Sequence, residues 1–423
     1  MTSLEAPPRL LVGNLGRPRT LVEHEQLFGP MTSPGDLLAM LDSSGLRGRG
    51  GAGFPTGKKV ALIAGERHRH KYVVVNAMEG EPAAHKDRTL LSMNPHLVLD
   101  GAEALAHLVG AHEIAVCVAR ESSKAIDHVE RAINERARRG RHHVNVELHT
   151  PPGRYIAGEE SALVHWLDDN ETLPQYRPAR PTILRIGRGP VLVDNAETHA
   201  NVALIARRGP QWFRNLGTLE HPGTNMVSIT GGVDRPVVTE VALGTPIRDI
   251  LAIAGVTQTP RALLLGGYGG TWIDGRHVDT PYDNESLAPI GASVGAGVIV
   301  VLPAHSCGIA ETSNIARWMA NESARQCGPC AFGLPAMASN LADLTSGRGR
   351  GTSVIELRER ASVIAGRGAC RHPDGVIRMV QSALTVFGDD LAEHAQGRPC
   401  AMAAHSRFVS VPRLEREDEL VWE

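Results

Sequence analysis

Short apolar runs and segments of helical periodicity alternate through the first half of the chain. Apolar and β-branched residues predominate in 71–76 and 114–119, a pattern typical of buried strands, and 144–148 is predicted as another strand. Between these runs, 97–110 and 121–140 carry apolar or small residues at helical spacing. The alternation of strands and helices predicts a doubly wound α/β domain built on a parallel sheet.

The pattern changes after residue 220. Strands are predicted at 223–232, 237–241 and 297–302, with a short helix at 247–254. From about residue 305 the apolar spacing is helical. We therefore expect five segments, namely a lead-in at 1–44, an α/β domain at 45–220, a small sheet domain at 221–303, a helical domain at 304–400 and a tail at 401–423.

The composition is that of an ordinary globular protein. The chain has 423 residues, of which 42% are hydrophobic and 21% charged, so it can form two or three domains with separate cores. Its net charge is −2 and its aromatic content is 4%. Nucleic-acid-binding proteins present basic patches and aromatic stacking platforms, so nucleic acid is not expected as a partner.

Neither a membrane span nor a secretory signal is predicted. No apolar run approaches the ~18–20 residues needed to cross a bilayer, and the N-terminus lacks a charged region followed by an apolar core. We therefore expect a cytoplasmic protein without direct membrane insertion. The chain has six cysteines, and in a reducing compartment closely spaced cysteines indicate metal ligands or redox groups rather than disulfides.

A glycine-rich loop is the clearest candidate for a binding site. Five glycines fall within 48–57, with Arg47, Arg49 and Lys59 around them and an apolar helical run at 60–64. Successive N–H groups and a helix N-terminus can bind a phosphate. Neither G-x-x-x-x-G-K-[ST] nor the dinucleotide fingerprint with its acidic residue fits. A flexible linker is the alternative, but flexible linkers are rich in Ser and Gly, whereas this stretch ends in Phe-Pro-Thr-Gly-Lys-Lys.

Polar residues follow the first predicted strand. Asn76, Glu79 and Glu81 come at or just after its carboxyl end, where ligands bind in open α/β sheets. A solvated acidic loop is the alternative interpretation.

The predicted helical domain contains a candidate metal site. Cys327 and Cys330 form a C-x-x-C pair, and Cys370 follows 40 residues after Cys330. Such thiolates can hold an iron–sulfur cluster. A thioredoxin-like redox pair or half of a zinc site are alternatives, although no β-α-β pattern and no second C-x-x-C accompany this one.

Taken together, these motifs resemble a known family. The glycine loop, Asn-Ala-x-Glu-Gly-Glu-Pro at 76–82, Gly-Glu-Glu at 158–160 and the cysteines occur in the order found in the flavin- and NADH-binding subunit of respiratory complex I. That family includes diaphorase subunits of NAD-linked hydrogenases and formate dehydrogenases. The resemblance covers 45–395 and implies a Rossmann-like flavin- and nucleotide-binding domain, a ubiquitin-like, soluble-ligand-binding β-grasp domain, and a C-terminal helical bundle carrying an iron–sulfur site.

The resemblance also implies a function and a set of site residues. NADH would transfer a hydride to FMN, with Glu81 and Glu160 positioning the nicotinamide. Electrons would then leave singly through a [4Fe–4S] cluster on Cys327, Cys330 and Cys370 to a ferredoxin-like or thioredoxin-like iron–sulfur partner. The implied cofactor-binding residues are Gly48, Arg49, Gly50, Phe54, Lys59, Asn76, Glu79, Tyr155, Gly158, Glu159, Asn195 and Thr198.

The chain departs from the family at the cluster. Ala324 stands at the first ligand position, and alanine cannot bind iron. Four outcomes follow: a cluster with a non-cysteine ligand, a three-iron cluster, a labile cluster, or no cluster. Cys307 and Cys400 could donate a thiolate, and His305 and His372 a nitrogen.

The nucleotide pocket departs as well. Met78 stands in place of an aspartate, Asp194 in place of an asparagine, and Leu62 in place of an aromatic residue. Arg-Pro-Ala-Arg at 177–180 replaces Lys-Pro-Pro-Phe, and Arg180 could stack on adenine or meet a 2′-phosphate. NADPH is therefore an alternative to NADH. A degenerate, non-catalytic paralogue that binds a nucleotide or acts as a scaffold is the alternative function.

Overall fold

The computed structural model describes residues 8–13, 15–31, 35–140, 144–176, 183–398, 400–403 and 408–412. Within them, ten strands form two five-stranded sheets, and most of the chain after the second sheet is helical. The strands are β1 (Tyr72–Ala77), β2 (Glu113–Val118), β3 (Asn145–His149), β4 (Arg185–Ile186), β5 (Gly189–Asn195), β6 (Thr224–Gly231), β7 (Val237–Ala242), β8 (Ala262–Leu265), β9 (Thr271–Asp274) and β10 (Val298–Leu302).

Sixteen α-helices are present in the described part of the chain. They are α1 (Leu21–Phe28), α2 (Leu37–Ser44), α3 (Thr56–Ala64), α4 (Lys86–Met93), α5 (Pro95–Val109), α6 (Ser123–Arg138), α7 (Glu160–Asp169), α8 (Ala196–Arg208), α9 (Pro210–Arg214), α10 (Ile247–Ile253), α11 (Asn284–Leu287), α12 (Gly308–Asn321), α13 (Leu334–Thr345), α14 (Gly351–Ile364), α15 (His372–Val386) and α16 (Gly388–Ala395). Among the described residues, no helix has both the length and the apolar composition to cross a bilayer.

The first sheet has the order β3-β2-β1-β5-β4. Its first four strands are parallel, with Val74 of β1 opposite Ala115 and Val193, and only the two-residue β4 runs antiparallel. Strands β1, β2 and β5 are apolar on both faces because helices cover the sheet. The prediction of an α/β fold with a parallel sheet is therefore confirmed.

Helices α5 and α8 pack against each other and share a core with β1 and β2. A Cβ atom on Gly101 of α5 would lie 1.8 Å from the carbonyl oxygen of His199 in α8. Only glycine permits this approach of the two backbones. Because α8 begins where β5 ends, this contact also fixes the end of β5 at the candidate site.

The second sheet is mixed and has the order β7-β6-β10-β8-β9. Strand β10 is parallel to β6 and antiparallel to β8. Helix α10 packs with this sheet around a separate apolar core. Strands β6, β7 and β10 and the short helix α10 lie where the sequence pattern predicts them.

Helices α12 to α16 enclose a third core that also includes parts of β8 and β10. Between α12 and α13 the chain makes a π-helical turn at Pro329–Gly333. Just before this turn, Arg325 has φ of 52°, one of two non-glycine residues with positive φ in the described chain. L-residues rarely adopt this conformation, so the cysteine-bearing loop is locally strained.

Candidate functional site

The glycine loop connects α2 to α3 and folds back on itself. The amide of Gly48 donates to the carbonyl of Phe54 at 2.9 Å. Gly51 and Gly53 have φ of 111° and 60°, conformations that favour glycine. The helix that follows, α3, confirms that the apolar run after the loop is helical.

Arg49 lies at the centre of this loop and is buried. Its amide donates to Oγ1 of Thr198 at 2.9 Å, which joins the loop to α8. Its guanidinium Nε and Nη2 atoms have no hydrogen-bond partner among the described residues, and the nearest carboxylate oxygen, Oε1 of Glu197, lies 3.9 Å from Nε. Buried guanidinium nitrogens without partners are rare, and they fit a site that receives an anion.

A small cleft lies between the glycine loop and the second sheet. One wall is formed by the loop from Arg47 to Gly53. The other wall includes Asn225, Asn284 and Gly295. The cleft is therefore lined by the glycine-loop backbone, two arginines and two asparagines.

Lys59 lies on the first turns of α3, where its charge is matched by two acidic residues. Its Nζ atom donates to Oε1 of Glu160 at 2.6 Å and to the carbonyl of Val193, and lies 3.7 Å from Oδ1 of Asp194. Burial raises the pKa of Asp194 to about 6, although Lys59 lowers it. The replacement seen at Asp194 therefore adds a counter-charge to the lysine of the glycine loop.

The carboxyl ends of β1 and β5 bring two asparagines together. Nδ2 of Asn76 donates to the carbonyl of Gly158 at 2.9 Å, and Nδ2 of Asn195 donates to the carbonyl of Asn76 at 3.2 Å. The amide of Met78 donates to Oδ1 of Asn76 at 3.2 Å. These side chains therefore order the strand ends and the turn before α7. A Cβ atom on Gly50 would lie 3.4 Å from Cβ of Asn195, which places the glycine loop over the same strand end.

A buried ion cluster of Lys86, Asp87 and Glu197 lies beside these asparagines, and its pairing with Glu197 was not predicted. Nζ of Lys86 lies 2.9 Å from Oδ1 of Asp87 and 3.0 Å from Oε2 of Glu197, and it donates to Oδ1 of Asn195. Burial alone would lower the pKa of Lys86, but Asp87 and Glu197 raise it. The other Glu197 oxygen accepts from the amide of Met226 at 2.8 Å and so joins β6 to this cluster. Adjacent opposite charges at 86–87 were the available signal.

The two glutamates after β1 have different surroundings. Both carboxylate oxygens of Glu79 accept hydrogen bonds at the start of α4, from the amides of Asp87 and Arg88 and from Nε of Arg88. Oε2 of Glu81 accepts from the amide of Tyr268 at 3.0 Å, whereas its buried Oε1 has no partner among the described residues. Burial raises the pKa of Glu81 to about 8. Glu81 is therefore mostly neutral at pH 7.

Tyr155 to Gly158 forms a 3₁₀ turn that leads into α7. Glu159 is the N-cap of α7, where its Oε2 atom accepts from the amides of Ser161 and Ala162 at 2.9 Å. The next residue, Glu160, extends to Lys59 as described above. The pattern is that of a capped helix whose first acidic residues both have partners.

Tyr155 contacts the helical region. Its ring centroid lies 5.6 Å from that of Trp318 and 5.4 Å from that of His372. Its amide donates to Oε2 of Glu322 at 2.8 Å. Burial raises the pKa of Tyr155, so its hydroxyl stays protonated at neutral pH. Tyr155 therefore lies between the flavin-site candidates and the cysteine-bearing loop.

The structure brings Cys327, Cys330 and Cys370 close enough to interact electrostatically with one another. Cys330 is buried, whereas Cys327 and Cys370 are half-buried. Burial raises the pKa of Cys370 to about 11. Three thiols around one turn fit an iron–sulfur group that has three cysteine ligands, and Ala324 leaves the fourth position without a side-chain donor.

The other donors considered for that fourth position lie in varied surroundings. His372 is buried, with Nε2 2.9 Å from the carbonyl of Met319 and Nδ1 without a partner among the described residues. His305 packs edge-on against Phe408. Cys307 and Cys400 interact with each other.

The adenine side of the pocket is described only in part. The side chains of Phe54 and Leu62 are 41% and 47% exposed, which leaves both accessible to a ligand. Arg177, Arg180 and the two residues between them lie outside the described residues.

The fold and the site define a flavin-binding protein with an iron–sulfur region. Residues 41–204 match the family model of the Nuo51 FMN-binding domain, and residues 310–394 match that of the NADH-ubiquinone oxidoreductase-F iron–sulfur binding region. The chain is 30% identical over 380 residues to the F subunit of the NADH-quinone oxidoreductase of Streptomyces coelicolor, covering 87% of this chain and 85% of that protein. It belongs to the family of NADH-quinone oxidoreductase F subunits, which confirms the resemblance seen in the sequence.

Two further comparisons agree. The F subunit of the Escherichia coli NADH-quinone oxidoreductase is 30% identical over 373 residues, covering 85% of this chain and 84% of that protein. Among solved structures, a chain of the NAD⁺-reducing [NiFe]-hydrogenase in the H₂-reduced state matches with a TM-score of 0.79 and 27% identity. That match covers 86% of this chain but only 63% of the hydrogenase chain.

Proposed function

We propose that this protein is a flavin-dependent NADH dehydrogenase that passes electrons through an iron–sulfur cluster to another protein. The observation that carries the proposal is the buried Arg49 in the wall of a glycine-lined cleft, because its guanidinium Nε and Nη2 atoms have no hydrogen-bond partner among the described residues. FMN, when bound, accepts a hydride from reduced nicotinamide and releases its electrons one at a time. The family membership supports both FMN and a cluster as cofactors.

Residues of the glycine loop are proposed to hold FMN. Arg49 supplies a buried positive charge, and the Gly48 and Gly50 backbone allows close approach of the ligand. Thr198 and Asn195 fix the loop and the strand end beside it. Because the Arg49 Nε and Nη2 atoms are already buried and have no hydrogen-bond partner among the described residues, an anionic group can bind them with little further desolvation of the arginine.

Two glutamates are proposed to position the nicotinamide, as the resemblance implies. Glu81 is neutral below about pH 8, so it can donate a hydrogen bond from the oxygen that has no partner among the described residues. A carboxamide oxygen is an acceptor of the right kind. Glu160 remains ion-paired to Lys59, which fixes its place at the start of α7. Neither residue needs to transfer a proton in this proposal.

The finer organisation is also a proposal. We assign flavin and nucleotide binding to 45–220, a β-grasp domain to 221–303 and an iron–sulfur domain to 304–400, with a lead-in at 1–44 and a tail at 401–423. The second sheet with α10 and the helices α12 to α16 support these divisions. We further propose a cytoplasmic location and a ferredoxin-like or thioredoxin-like iron–sulfur partner, because a single cysteine triad provides one cluster site at most.

The test is an anaerobic absorption spectrum of the purified full-length protein before and after adding NADH, and then NADPH. Flavin bands that NADH bleaches support the proposal, and comparison of the two nucleotides identifies the donor. We expect Arg49→Gln to lose bound FMN and Arg208→Gln, on the exposed end of α8, to retain it. A protein that stays colourless after incubation with FMN and iron would overturn the proposal.

One observation favours the alternative of a non-catalytic paralogue. Asp194 and Glu160 balance the charge of Lys59, which reduces its attraction for a phosphate. A folded protein that does not bind flavin would support that alternative. The next experiment would then be a search for binding proteins rather than for a substrate.

A further inference from the structure

A second group of soft metal donors lies in the helical region, apart from Cys327 and its neighbours. Cys307 is the N-cap of α12, His394 lies in the last turn of α16, and Cys400 follows α16. All three residues are buried, and their donor atoms lie within 4.8 Å of one another. Residues separated by 87 positions in the chain are therefore brought to one point inside the protein.

The spacing of these atoms suits a tetrahedral metal ion. Sγ of Cys307 lies 3.3 Å from Nε2 of His394. With Zn–S near 2.3 Å and Zn–N near 2.0–2.1 Å, two such ligands of a tetrahedral zinc ion are roughly 3.6 Å apart. The observed separation is close to that value, so only a small adjustment admits the ion.

The orientation of the His394 ring also favours a metal ion at this position. Nδ1 of His394 lies 3.1 Å from the carbonyl oxygen of Leu344. Because a carbonyl can only accept, Nδ1 carries the proton and Nε2 presents its lone pair to Cys307. Metal-bound histidines commonly donate their second nitrogen to a backbone carbonyl in this way. The amide of Ala310 also donates to Sγ of Cys307 at 3.3 Å.

We propose that Cys307, His394 and Cys400 bind one Zn²⁺ ion that fastens the chain after α16 to the N-terminus of α12. Binding releases the thiol protons of the two cysteines, so the ion and its thiolates balance in charge. Two thiolates and an imidazole select zinc over magnesium or calcium, which prefer oxygen ligands. The three donors leave the fourth position of the tetrahedron to an exchangeable ligand.

This zinc site is separate from the proposed iron–sulfur site. Cys307 interacts with Cys400 and Asp390, whereas Cys330 and Cys370 both interact with Cys327. Asp390 is engaged elsewhere, since its oxygens accept from Nη2 of Arg261 at 2.5 Å and from the amide of Gly308 at 3.1 Å. The two cysteine groups can therefore be tested independently.

The experiment uses the reduced, full-length protein, which is stripped with a chelator and titrated with Zn²⁺ under anaerobic conditions. Bound zinc is measured after desalting. We expect one zinc ion per chain in the native protein and in the variant Cys327→Ser/Cys330→Ser/Cys370→Ser. The double variant Cys307→Ser/Cys400→Ser should bind none.

Zinc-edge X-ray absorption of the native protein provides a second measurement that needs no variant. Two sulfur ligands and at least one imidazole nitrogen are expected. Three sulfurs without imidazole, or zinc lost only in the variant lacking Cys327, Cys330 and Cys370, would assign the metal to the other cysteines and overturn the proposal. Absence of stoichiometric zinc in the reduced protein would overturn it as well, including the case in which Cys307 and Cys400 are isolated as a disulfide.

Discussion

Glu81 is buried against the turn at Tyr268, and its carboxyl group makes the stability of the fold depend on pH. Burial raises its pKa from 4.5 to about 8 in the folded protein. Below pH 4.5 both the folded and the unfolded states are protonated. As pH rises towards 8 the unfolded state loses this proton first, so the contribution of Glu81 to the free energy of unfolding falls.

We therefore expect Glu81→Gln to remove part of this pH dependence. The melting temperature of the variant, relative to the native protein, should rise between about pH 5 and about pH 8. Glu130→Gln, on the exposed face of α6, is the matched control and should follow the native protein at both values. Parallel curves for the native protein and Glu81→Gln would show that Glu81 is ionised in the folded state.

Asp194 offers a second prediction at the scale of one residue. Asp194→Asn removes a counter-charge 3.7 Å from Nζ of Lys59, so FMN should bind roughly three- to tenfold more tightly at neutral pH. Because the pKa of Asp194 is about 6, the difference should shrink as pH falls below that value. Quenching of FMN fluorescence measures the affinity, with Asp127→Asn on the exposed face of α6 as control. Equal affinities at neutral pH would contradict this electrostatic argument.

At the scale of secondary structure, the contact between α5 and α8 is set by Gly101. Alanine there would place its Cβ atom within 1.8 Å of the His199 carbonyl oxygen, so the helices must separate. We expect Gly101→Ala to lower the free energy of unfolding by at least about 1–3 kcal/mol, the usual cost of overpacking. Denaturant unfolding measures the change.

Gly351 supplies the control for that prediction. It begins α14 with nothing within 4 Å of a Cβ atom, so Gly351→Ala should be neutral or slightly stabilising. Similar stabilities for the two variants would mean that α5 and α8 can move apart at little cost.

The elements show what sequence patterns could and could not predict. Strands β1 and β2 follow directly from the predicted apolar runs, because a parallel sheet covered on both faces needs such runs. Strand β5 was not predicted as a strand. The two-residue β4 has no such pattern and was not predicted. In the site, the hydrogen bond between Arg49 and Thr198 and the ion pair between Lys86 and Glu197 connect residues more than 100 positions apart. Only the folded chain reveals such pairs, because local spacing carries no information about them.

The role of Glu79 illustrates the same limit. Its position after β1 predicts a residue facing a ligand, yet both of its oxygens accept hydrogen bonds from the first turn of α4. Glu81, two residues later, keeps one oxygen without a partner among the described residues. The sequence alone does not distinguish the two glutamates. In the folded protein Glu79 accepts from the start of α4, whereas Glu81 accepts from the amide of Tyr268.

At the scale of the whole molecule, a group of aromatic rings joins the turn before α7 to the core of the helical region. Trp318 lies edge-on to both Tyr155 and Tyr268, with centroids 5.6 and 5.5 Å apart. The amide of Tyr268 donates a hydrogen bond to Oε2 of Glu81. The candidate flavin site and the cysteine-bearing loop are therefore neighbours across this group.

The proposed cluster gives a prediction at this scale. Ala324→Cys restores a thiol at the position where the family has its first ligand, so iron bound per chain should increase and the cluster should resist loss in air. Ala342→Cys, half-buried on α13, adds a thiol elsewhere and should leave the iron content unchanged. Iron and sulfide analysis of anaerobically prepared protein measures both. Equal iron content in the native protein and Ala324→Cys would indicate that the fourth position needs no thiolate.

Glu322 is two residues before Ala324. Its carboxylate accepts a hydrogen bond from the amide of Tyr155 and forms an ion pair with Arg154. The side chain of Glu322 thus connects the cysteine-bearing loop to the turn before α7, which is part of the proposed nucleotide pocket. Any shift of Glu322 on metal loading changes the affinity of the pocket, and thermodynamic reciprocity then requires nucleotide binding to change the affinity for the cluster by the same factor. With such a shift, occupancy of the two sites would be linked in a single thermodynamic cycle, in which the affinity of each site depends on whether the other is occupied.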